Sequence, residues 1–157
     1  MEKRKLEKLG VETSLLGYGC MRFPMTADGK IDEAEAEKLL DTALAAGINY
    51  IDTAWPYHNG ESEPFVGKVL SKYPRDSYYL ATKLPVWLVK SLDEVDTYLE
   101  KQLERLRTDH IDFYLMHSLD KEDWDRMVEM GTVKRLEELK AEGKIRYLGF
   151  SFHDKYE

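Results

Sequence analysis

The sequence has 157 residues, of which 43% are hydrophobic and 11% aromatic, enough to fill the core of one folded domain over residues 1–157. Its formal net charge of −7 argues against a general nucleic-acid-binding protein, and its one Cys excludes a disulfide framework or a zinc site built on several thiolates. No run of about 18 apolar residues occurs that would span a membrane, and the charged start lacks the apolar segment of a secretory signal. A cytoplasmic location is therefore expected.

The chain then alternates short apolar runs with longer runs of helical spacing. A Gly10 turn between two short polar–apolar runs predicts an N-terminal β-hairpin within residues 3–13. Strands are predicted over residues 15–20, 49–54, 78–84, 111–117 and 147–152. Helices are predicted over residues 32–46, 62–71, 93–106, 124–130 and 132–141. This order is typical of an α/β fold with a parallel sheet, either a flavodoxin-like open sheet or part of a barrel.

Polar residues and glycines mark the ends of the predicted helices. Asp32 is a plausible N-cap of the first helix, and Gly47 is its C-terminal stop. Ser62 is the candidate cap of the second helix. The carboxylates of Glu61 and Glu63 are expected to serve the first turn of that helix, where they complement the helix dipole.

Four polar residues lie where successive predicted strands end. Asp52, Lys83, His117 and Ser151 are separated by 31, 34 and 34 residues, which is the βα repeat itself. Because the active site of a parallel α/β fold lies at the carboxyl ends of its strands, these side chains are expected at one rim of one sheet. Tyr57 follows Asp52 on a loop. Taken singly, each residue has an ordinary structural interpretation, and their joint occurrence is what indicates function.

The chemistry of these residue types is coherent. A tyrosine hydroxyl is a poor acid near neutral pH unless its anion is stabilised, and a Lys ammonium within hydrogen-bond reach stabilises it. A carboxylate can hold the ammonium in place, and a neutral imidazole can orient a polar oxygen. Together these groups suit protonation of a carbonyl oxygen. The reductant of the carbon would have to be a cofactor, because the chain has no redox-active residue set.

Two other interpretations concern metals and thiol chemistry. His58, His117 and Asp52 suggest a metal site, but no third well-spaced soft or acidic ligand is evident, and no metal is expected. Cys20 is a candidate reactive thiol, although a buried structural Cys is the commoner case.

Two long segments resemble the signatures of the aldo-keto reductase superfamily. The first runs from Gly47 to Glu63, GINYIDTAWPYHNGESE, and the second from Leu103 to His117, LERLRTDHIDFYLMH. The two motifs are distinct and in the right order, and the similarity covers essentially the whole chain. The resemblance implies a (β/α)8 TIM barrel, here a partial one with five parallel strands, intervening helices and the N-terminal hairpin. It also implies reduction of small aldehydes or ketones with NADPH or NADH.

The resemblance further implies roles for individual residues. Tyr57 matches the general acid of the family, and Lys83 and Asp52 match the pair that tunes it. His117 matches the residue that orients the substrate carbonyl. Ser151 matches a residue that hydrogen-bonds the nicotinamide carboxamide, although the family often has Asn at the next position, where this chain has Phe.

Further contacts are implied for the loops. The turn at Gly19, Cys20 and Met21 occupies the place of a loop that lies near the cofactor. This turn and residues 149–154 together resemble a subgroup whose longer members carry a C-terminal iron–sulfur module. The sequence has one Cys, so no such module is expected here. The candidate walls of a substrate pocket, with surface packing as the alternative, are Trp55, His58 and Trp87.

The length bears on function as well. A (β/α)8 barrel takes about 250 residues, and the predicted strands here number five. The resemblance places the cofactor's phosphate-binding loops after strands seven and eight, so weak cofactor binding is expected. Two functions therefore stay open: an NAD(P)H-dependent reductase acting through Tyr57, or a truncated, catalytically silent barrel with a binding role or none. Exposed sheet edges also predict a homo-oligomer. No nucleic-acid or membrane partner is expected.

Overall fold

Five parallel strands form one sheet in the computed structural model, which describes residues 1–155. The strands, including two of the hairpin, are β1 (Lys3–Leu6), β2 (Val11–Ser14), β3 (Tyr18–Gly19), β4 (Tyr50–Asp52), β5 (Tyr79–Leu84), β6 (Ile111–Leu119) and β7 (Ile145–Phe152). The helices are α1 (Glu33–Ala45), α2 (Ser62–Leu70), α3 (Leu92–Leu106), α4 (Lys121–Met130) and α5 (Thr132–Ala141). Short 3₁₀ turns occupy Tyr57–Gly60, Arg75–Ser77 and Val86–Leu88.

The strand order of the sheet is that of a barrel. The sheet runs β3-β4-β5-β6-β7, every neighbouring pair is parallel, and β1 and β2 form a separate antiparallel hairpin. A flavodoxin-like sheet places its first strand inside the order, whereas here sequence order and spatial order agree. The predicted partial (β/α)8 barrel with an N-terminal hairpin is therefore confirmed.

One face of the sheet carries an aromatic row near the amino ends of the strands. Its ring centroids lie 5.2 Å apart for Tyr50 and Phe113, 6.0 Å for Tyr79 and Phe113, and 5.0 Å for Phe113 and Tyr147. The hairpin covers this row, since the Tyr147 hydroxyl donates to the carbonyl of Leu9 at 2.8 Å. Because side chains alternate along a strand, residues two or four positions further on share this face. They are Asp52, Lys83, His117 and Ser151.

The opposite face of the sheet packs against the helices and forms the core. Leu80, Leu84 and Tyr114 of the central strands are almost fully buried there, together with Leu99 of α3 and Leu139 of α5. Burial of each such side chain contributes roughly 1.5–3 kcal/mol relative to exposure. The core therefore lies between sheet and helices and leaves the carboxyl ends of the strands available for a site.

A glycine permits the close packing of α2 on α3. A Cβ atom at Gly67 would collide with the carbonyl oxygen of Arg105 and lie 2.7 Å from main-chain atoms of Leu106. These are backbone atoms, which cannot turn aside as a flexible side chain would. Close approach at this point brings the first turn of α2 next to side chains of α3.

Two sequence predictions about the bounds of elements were wrong in detail. The strand predicted over residues 15–20 is reduced to Tyr18–Gly19, and Leu15 and Leu16 are 51% and 58% exposed rather than buried. The Ser14 hydroxyl donates to the carbonyl of Leu16 at 2.7 Å, and this bend interrupts the extended chain. Helix α4 begins at Lys121, before the predicted residue 124, because Asp120 caps it by accepting from the N–H of Asp123.

The predicted cap of α2 was also wrong. Ser62 lies inside the first turn, is fully buried, and donates its hydroxyl to the carbonyl of Cys20 at 3.1 Å, while Glu61 occupies the N-cap position. By contrast, Asp32 does cap α1, accepting from the N–H of Glu35. Over residues 1–155, no helix is long and apolar enough to cross a membrane.

Candidate active site

A buried ammonium group at the end of β5 is the centre of the polar cluster. Lys83, which is 5% exposed, places Nζ 2.7 Å from Asp52 Oδ1 and 2.8 Å from the carbonyl oxygen of Thr53. Its Nζ also lies 3.4 Å from the hydroxyl of Tyr57. An ammonium has three protons to donate, and here three oxygen acceptors surround it. The parallel pairing of β4 with β5 produces this arrangement.

Tyr57 sits between the lysine and the histidine. Its ring centroid lies 5.0 Å from Lys83 Nζ and 6.0 Å from the ring centroid of His117, which it meets edge to face. Tyr57 opens a short 3₁₀ turn in which His58 and Asn59 have φ values of 52° and 54°. Left-handed backbone at two successive non-glycine residues is uncommon and gives this loop a sharply defined path.

A β-bulge positions His117 near the end of β6. The register shifts between Met116 and Leu119, so that His117 and Ser118 together face Ser151 of β7. Ser118 has φ 53°, and its N–H donates to Ser151 Oγ at 2.7 Å. Bulges re-aim side chains near sites, and this one lies directly at the predicted histidine.

His117 is a neutral imidazole at physiological pH. Its side chain is nearly buried, and burial is the main cause that lowers the pKa of His117 to about 4, followed by the positive charge of Lys83 and by His153. Within residues 1–155 its buried Nδ1 has no hydrogen-bond partner. A neutral ring can donate or accept one hydrogen bond at a polar oxygen beside Tyr57.

The turn after β3 borders the cluster through the main chain. The N–H of Cys20 donates to the carbonyl of Asp52 at 2.8 Å, and Gly19 pairs with Asp52 in the sheet. Cys20 is fully buried, and burial raises the pKa of its thiol well above the ordinary value, so the sulfur is a neutral structural group. Met21, the next residue, is 54% exposed.

The structure brings one of the three candidate pocket walls to the cluster. The ring of Trp87 lies 5.1 Å from that of His117 and is 43% exposed. Trp55 instead packs edge-on against Tyr98 at 4.8 Å, with the guanidinium of Arg105 3.6 Å above its ring. This places the Trp55 ring against α3.

The third candidate wall, His58, is engaged with the loop between β3 and α1. Its Nε2 accepts from the N–H of Phe23 at 3.1 Å. Asp52 is paired with Lys83 and His58 with Phe23, and across the described residues no three His, Cys, Asp or Glu side chains are grouped so as to hold a metal ion.

Sequence reasoning missed several groups that support the cluster. The carbonyl of Thr53 is a third acceptor for Lys83, and Arg126 of α4 donates to the carbonyls of Val86 and Val89 at 2.8 and 2.6 Å, which holds the turn that carries Trp87. Main-chain acceptors leave no signal in a sequence, because every residue has one. The bulge at Ser118 likewise depends on register, which only the folded sheet shows.

The sequential parallel sheet and the polar cluster at its carboxyl ends place this chain in the (β/α)-barrel class. The chain belongs to the aldo/keto reductase family, a family of oxidoreductases, because the family model described as "Aldo/keto reductase family" matches residues 15–157.

Curated relatives give a consistent result. The aldo-keto reductase YhdN of Bacillus subtilis is 35% identical over 161 residues, covering 96% of this chain and 47% of that protein. The probable aldo-keto reductase 1 of Glycine max is 32% identical over 155 residues, covering 94% of this chain and 44% of that protein. The chain therefore spans about half the length of the curated relatives it matches.

Solved structures agree in fold. The aldo-keto reductase AKR11C1 from Bacillus halodurans, in its holo form, superposes with a TM-score of 0.81 at 37% identity, covering 97% of this chain and 50% of that one. An aldo/keto reductase from Klebsiella pneumoniae, solved in complex with NADP and acetate, superposes with a TM-score of 0.76 at 29% identity. That match covers 93% of this chain and 48% of the Klebsiella chain.

Proposed function

We propose that this chain carries the proton-donating group of an NAD(P)H-dependent carbonyl reductase, with Tyr57 as general acid toward a small aldehyde or ketone. The observation that carries the proposal is the position of Lys83 Nζ, which lies within 3.4 Å of the Tyr57 hydroxyl and 2.7 Å of Asp52 Oδ1. A nearby positive charge favours the phenolate that proton transfer leaves behind. Asp52 keeps that charge in place.

Each neighbour of Tyr57 has a distinct part in the proposal. Neutral His117, edge-on to Tyr57, orients the carbonyl oxygen by one hydrogen bond, and Trp87 beside it limits the space for the substrate. Trp55 and His58 stay predicted pocket walls, although their contacts lead to α3 and to Phe23. The carbonyl oxygen would take its proton from Tyr57 as the carbon is reduced.

The residues at the strand ends fit the nicotinamide end of the cofactor. Ser151 Oγ accepts from Ser118 N–H, and its own hydroxyl proton, which has no acceptor among residues 1–155, can donate to a carboxamide oxygen. Met21 is exposed beside Gly19 and Cys20, which gives an apolar surface for a flat ring. NADPH or NADH supplies a hydride when bound. The Klebsiella relative was solved with NADP, which supports a nicotinamide cofactor without choosing between the two.

Replacement of Tyr57 tests the assignment. Tyr57→Phe should lower NADPH-dependent turnover of a small aldehyde by about 10²-fold or more, because a positioned general acid contributes at that level. Tyr73→Phe is the matched control, since the Tyr73 hydroxyl donates to Asp41 on α1. Equal turnover of wild type and Tyr57→Phe would reject the proposal.

Nucleotide titration separates the reductase from the alternative of a catalytically silent barrel. NADPH fluorescence should change when the protein is added, and His117→Ala should leave most of that change intact if Ser151 and the turn after β3 hold the ring. Absence of any fluorescence change at high protein concentration would favour the silent barrel.

A cytoplasmic location and a single domain over residues 1–157 are part of the same proposal.

We also propose association through the sheet. Among residues 1–155, β7 pairs with β6 on one side only, and Phe150 and Phe152 on it are 61% and 52% exposed. Unpaired strand edges with exposed apolar side chains favour pairing with another chain. Light scattering at micromolar protein should report an oligomer, and a clean monomer would contradict this part.

A further inference from the structure

His58 ties the loop that carries Tyr57 to the loop between β3 and α1. Its Nε2 accepts from the N–H of Phe23 at 3.1 Å, and its Nδ1 lies 3.1 Å from the Sδ atom of Met25. Its ring centroid is also 5.5 Å from that of Phe23, which is buried. One imidazole thus joins two segments of the chain that lie 35 positions apart.

These contacts require the neutral form of the ring in one tautomer. Nε2 accepts a hydrogen bond from Phe23 N–H, so Nε2 must keep its lone pair and the ring proton must reside on Nδ1. Nδ1–H then points at the Met25 sulfur, a weak acceptor. A second proton, on Nε2, would set two donors against each other and remove the bond to Phe23.

The loop that this bond holds has an unusual backbone. His58 and the next residue, Asn59, both have positive φ, at 52° and 54°. Such conformations in non-glycine residues persist where surrounding contacts hold them, and they collect at functional sites. The left-handed stretch begins immediately after Tyr57, so any relaxation of it moves the Tyr57 side chain relative to Lys83.

We propose that His58 is a positioning residue for Tyr57: as a neutral clamp, it holds the Tyr57 loop against Phe23 and releases the loop when it is protonated. The inference rests on the proposed role of Tyr57 and deepens it. Tyr57 Oη and Lys83 Nζ are already 3.4 Å apart, so a small displacement of the loop breaks their contact.

The surroundings of His58 favour the clamped form near neutral pH. Burial is the largest effect and lowers the pKa of His58, while the Glu61 carboxylate on the same loop and the main chain of Cys20 act in the opposite direction. On the facing loop, the charged residue next to Phe23 is Arg22, which is exposed. The clamp therefore opens on acidification below pH 6.5, the ordinary pKa of histidine.

NMR of the whole chain, labelled with ¹⁵N and with ¹³C in tyrosine rings, tests the clamp without relying on turnover. Between pH 8 and pH 5, the Phe23 amide signal and the Tyr57 ring signals should shift together. Their common midpoint should equal that of the His58 ring signal and lie below pH 6.5. Comparison with the Tyr57→Phe variant assigns the Tyr57 signals. A Phe23 amide that does not respond to His58 titration, or Tyr57 signals that stay fixed, would overturn the proposal.

Two variants separate positioning from a merely structural role. His58→Gln keeps an acceptor at the reach of Nε2 but cannot titrate, so both signals should stay constant over this pH range. His58→Phe keeps a ring but no acceptor, so Phe23 amide exchange should be about tenfold faster and the Tyr57 signals should be displaced at every pH. If His58→Phe fails to fold, the contrast between wild type and His58→Gln decides, and a response retained in His58→Gln would overturn the clamp.

Turnover is a separate readout. If wild type reduces an aldehyde, its kcat should fall on acidification with the midpoint of His58, whereas the kcat of His58→Gln should not follow that midpoint. If Tyr57→Phe retains turnover, the proposed function fails, whereas the clamp is still judged by the Phe23 and Tyr57 signals.

Discussion

Thr82 and Lys83 are neighbours in β5 that point to opposite faces of the sheet, and each enters a buried polar cluster of different character. On the inner face, which is the face that carries the aromatic row, Lys83 contacts Asp52 at 2.7 Å and Tyr57 at 3.4 Å. Beside them lies a His117 nitrogen that has no partner in the described residues. On the helix face, Thr82 joins a network in which the side chains satisfy one another. The two clusters share one strand and differ in how completely their polar atoms are paired.

The helix-face network centres on Glu63, which is fully buried in the first turn of α2. Glu63 Oε1 accepts from the Thr82 hydroxyl at 2.7 Å and from Gln102 Nε2 at 2.6 Å, and Oε2 accepts from Arg105 at 3.2 Å. Tyr114 donates its hydroxyl to Gln102 Oε1 at 2.7 Å. Burial raises the pKa of Glu63 although these bonds act against the rise.

The difference shows what each cluster does. A satisfied buried network holds its elements together, and removal of one member leaves the others unpaired at high cost. Gln102 also donates to the carbonyl of Lys83 at 3.1 Å, so the network fixes the main chain from which the Lys83 side chain extends. The inner cluster keeps atoms available for a ligand. Stability should therefore depend on the helix face, and chemistry on the inner face.

The largest effect on stability is expected at Glu63. Glu63→Ala leaves Arg105 and Gln102 without their carboxylate and should lower the unfolding free energy by about 3 kcal/mol. Urea denaturation followed by circular dichroism measures this. Glu129→Gln, at an exposed site on α4, should change it by less than about 0.5 kcal/mol. A loss below about 1 kcal/mol for Glu63→Ala would contradict the expectation that stability depends more on the helix-face network than on the inner cluster.

Close packing of α2 on α3 should rank second. Gly67→Ala forces the two helix backbones apart and should cost about 2 kcal/mol, since the atoms that a Cβ would meet belong to the main chain. The same denaturation experiment applies. Gly19→Ala, where an added Cβ meets nothing within 4 Å, is the matched control. Similar stability of the two variants would show that α2 and α3 can shift without loss.

The pH dependence of stability should report His117. Because the folded state lowers the pKa of His117 from 6.5 to about 4, the unfolded state binds the proton more readily between these values. The contribution is complete above pH 6.5, declines as pH falls, and is gone by about pH 4. The slope for one group is at most about 1.4 kcal/mol per pH unit. His117→Gln should flatten this part of the curve; an unchanged curve would contradict a neutral buried imidazole.

The smallest effect on folding is expected at Lys83. Lys83→Met keeps a long side chain but leaves Asp52 without its ammonium partner. The Asp52 side chain is 29% exposed and can be solvated by water, so the unfolding free energy should fall by only about 1 kcal/mol, less than for Glu63→Ala. Turnover should be lost in the same variant, because the charge beside Tyr57 is gone. A stability loss as large as that of Glu63→Ala would place Lys83 among the structural residues.

Much of the fold was predictable from the sequence. Apolar periodicity and the βα repeat predicted five parallel strands, and the spacing of Asp52, Lys83 and His117 predicted their common edge, because strand ends in a parallel sheet recur with the repeat. The cap assigned to Ser62 was wrong, and the burial of Glu63 in the first turn of α2 was not predicted, for one physical reason. Near the start of a helix, a hydroxyl and a carboxylate have the same local pattern whether they cap that helix or reach into the core.

The sequence by itself determined the residue types of the site and the order of the strands, since both follow from local patterns and from motifs along the chain. Tertiary structure decided the rest: the turning of Trp55 onto α3, the bulge that aims His117, the burial of Glu63 against Thr82 and Gln102, and the bond from Phe23 to His58. These features depend on contacts between segments distant in sequence. Such contacts are set by packing and register, which no short stretch of residues specifies.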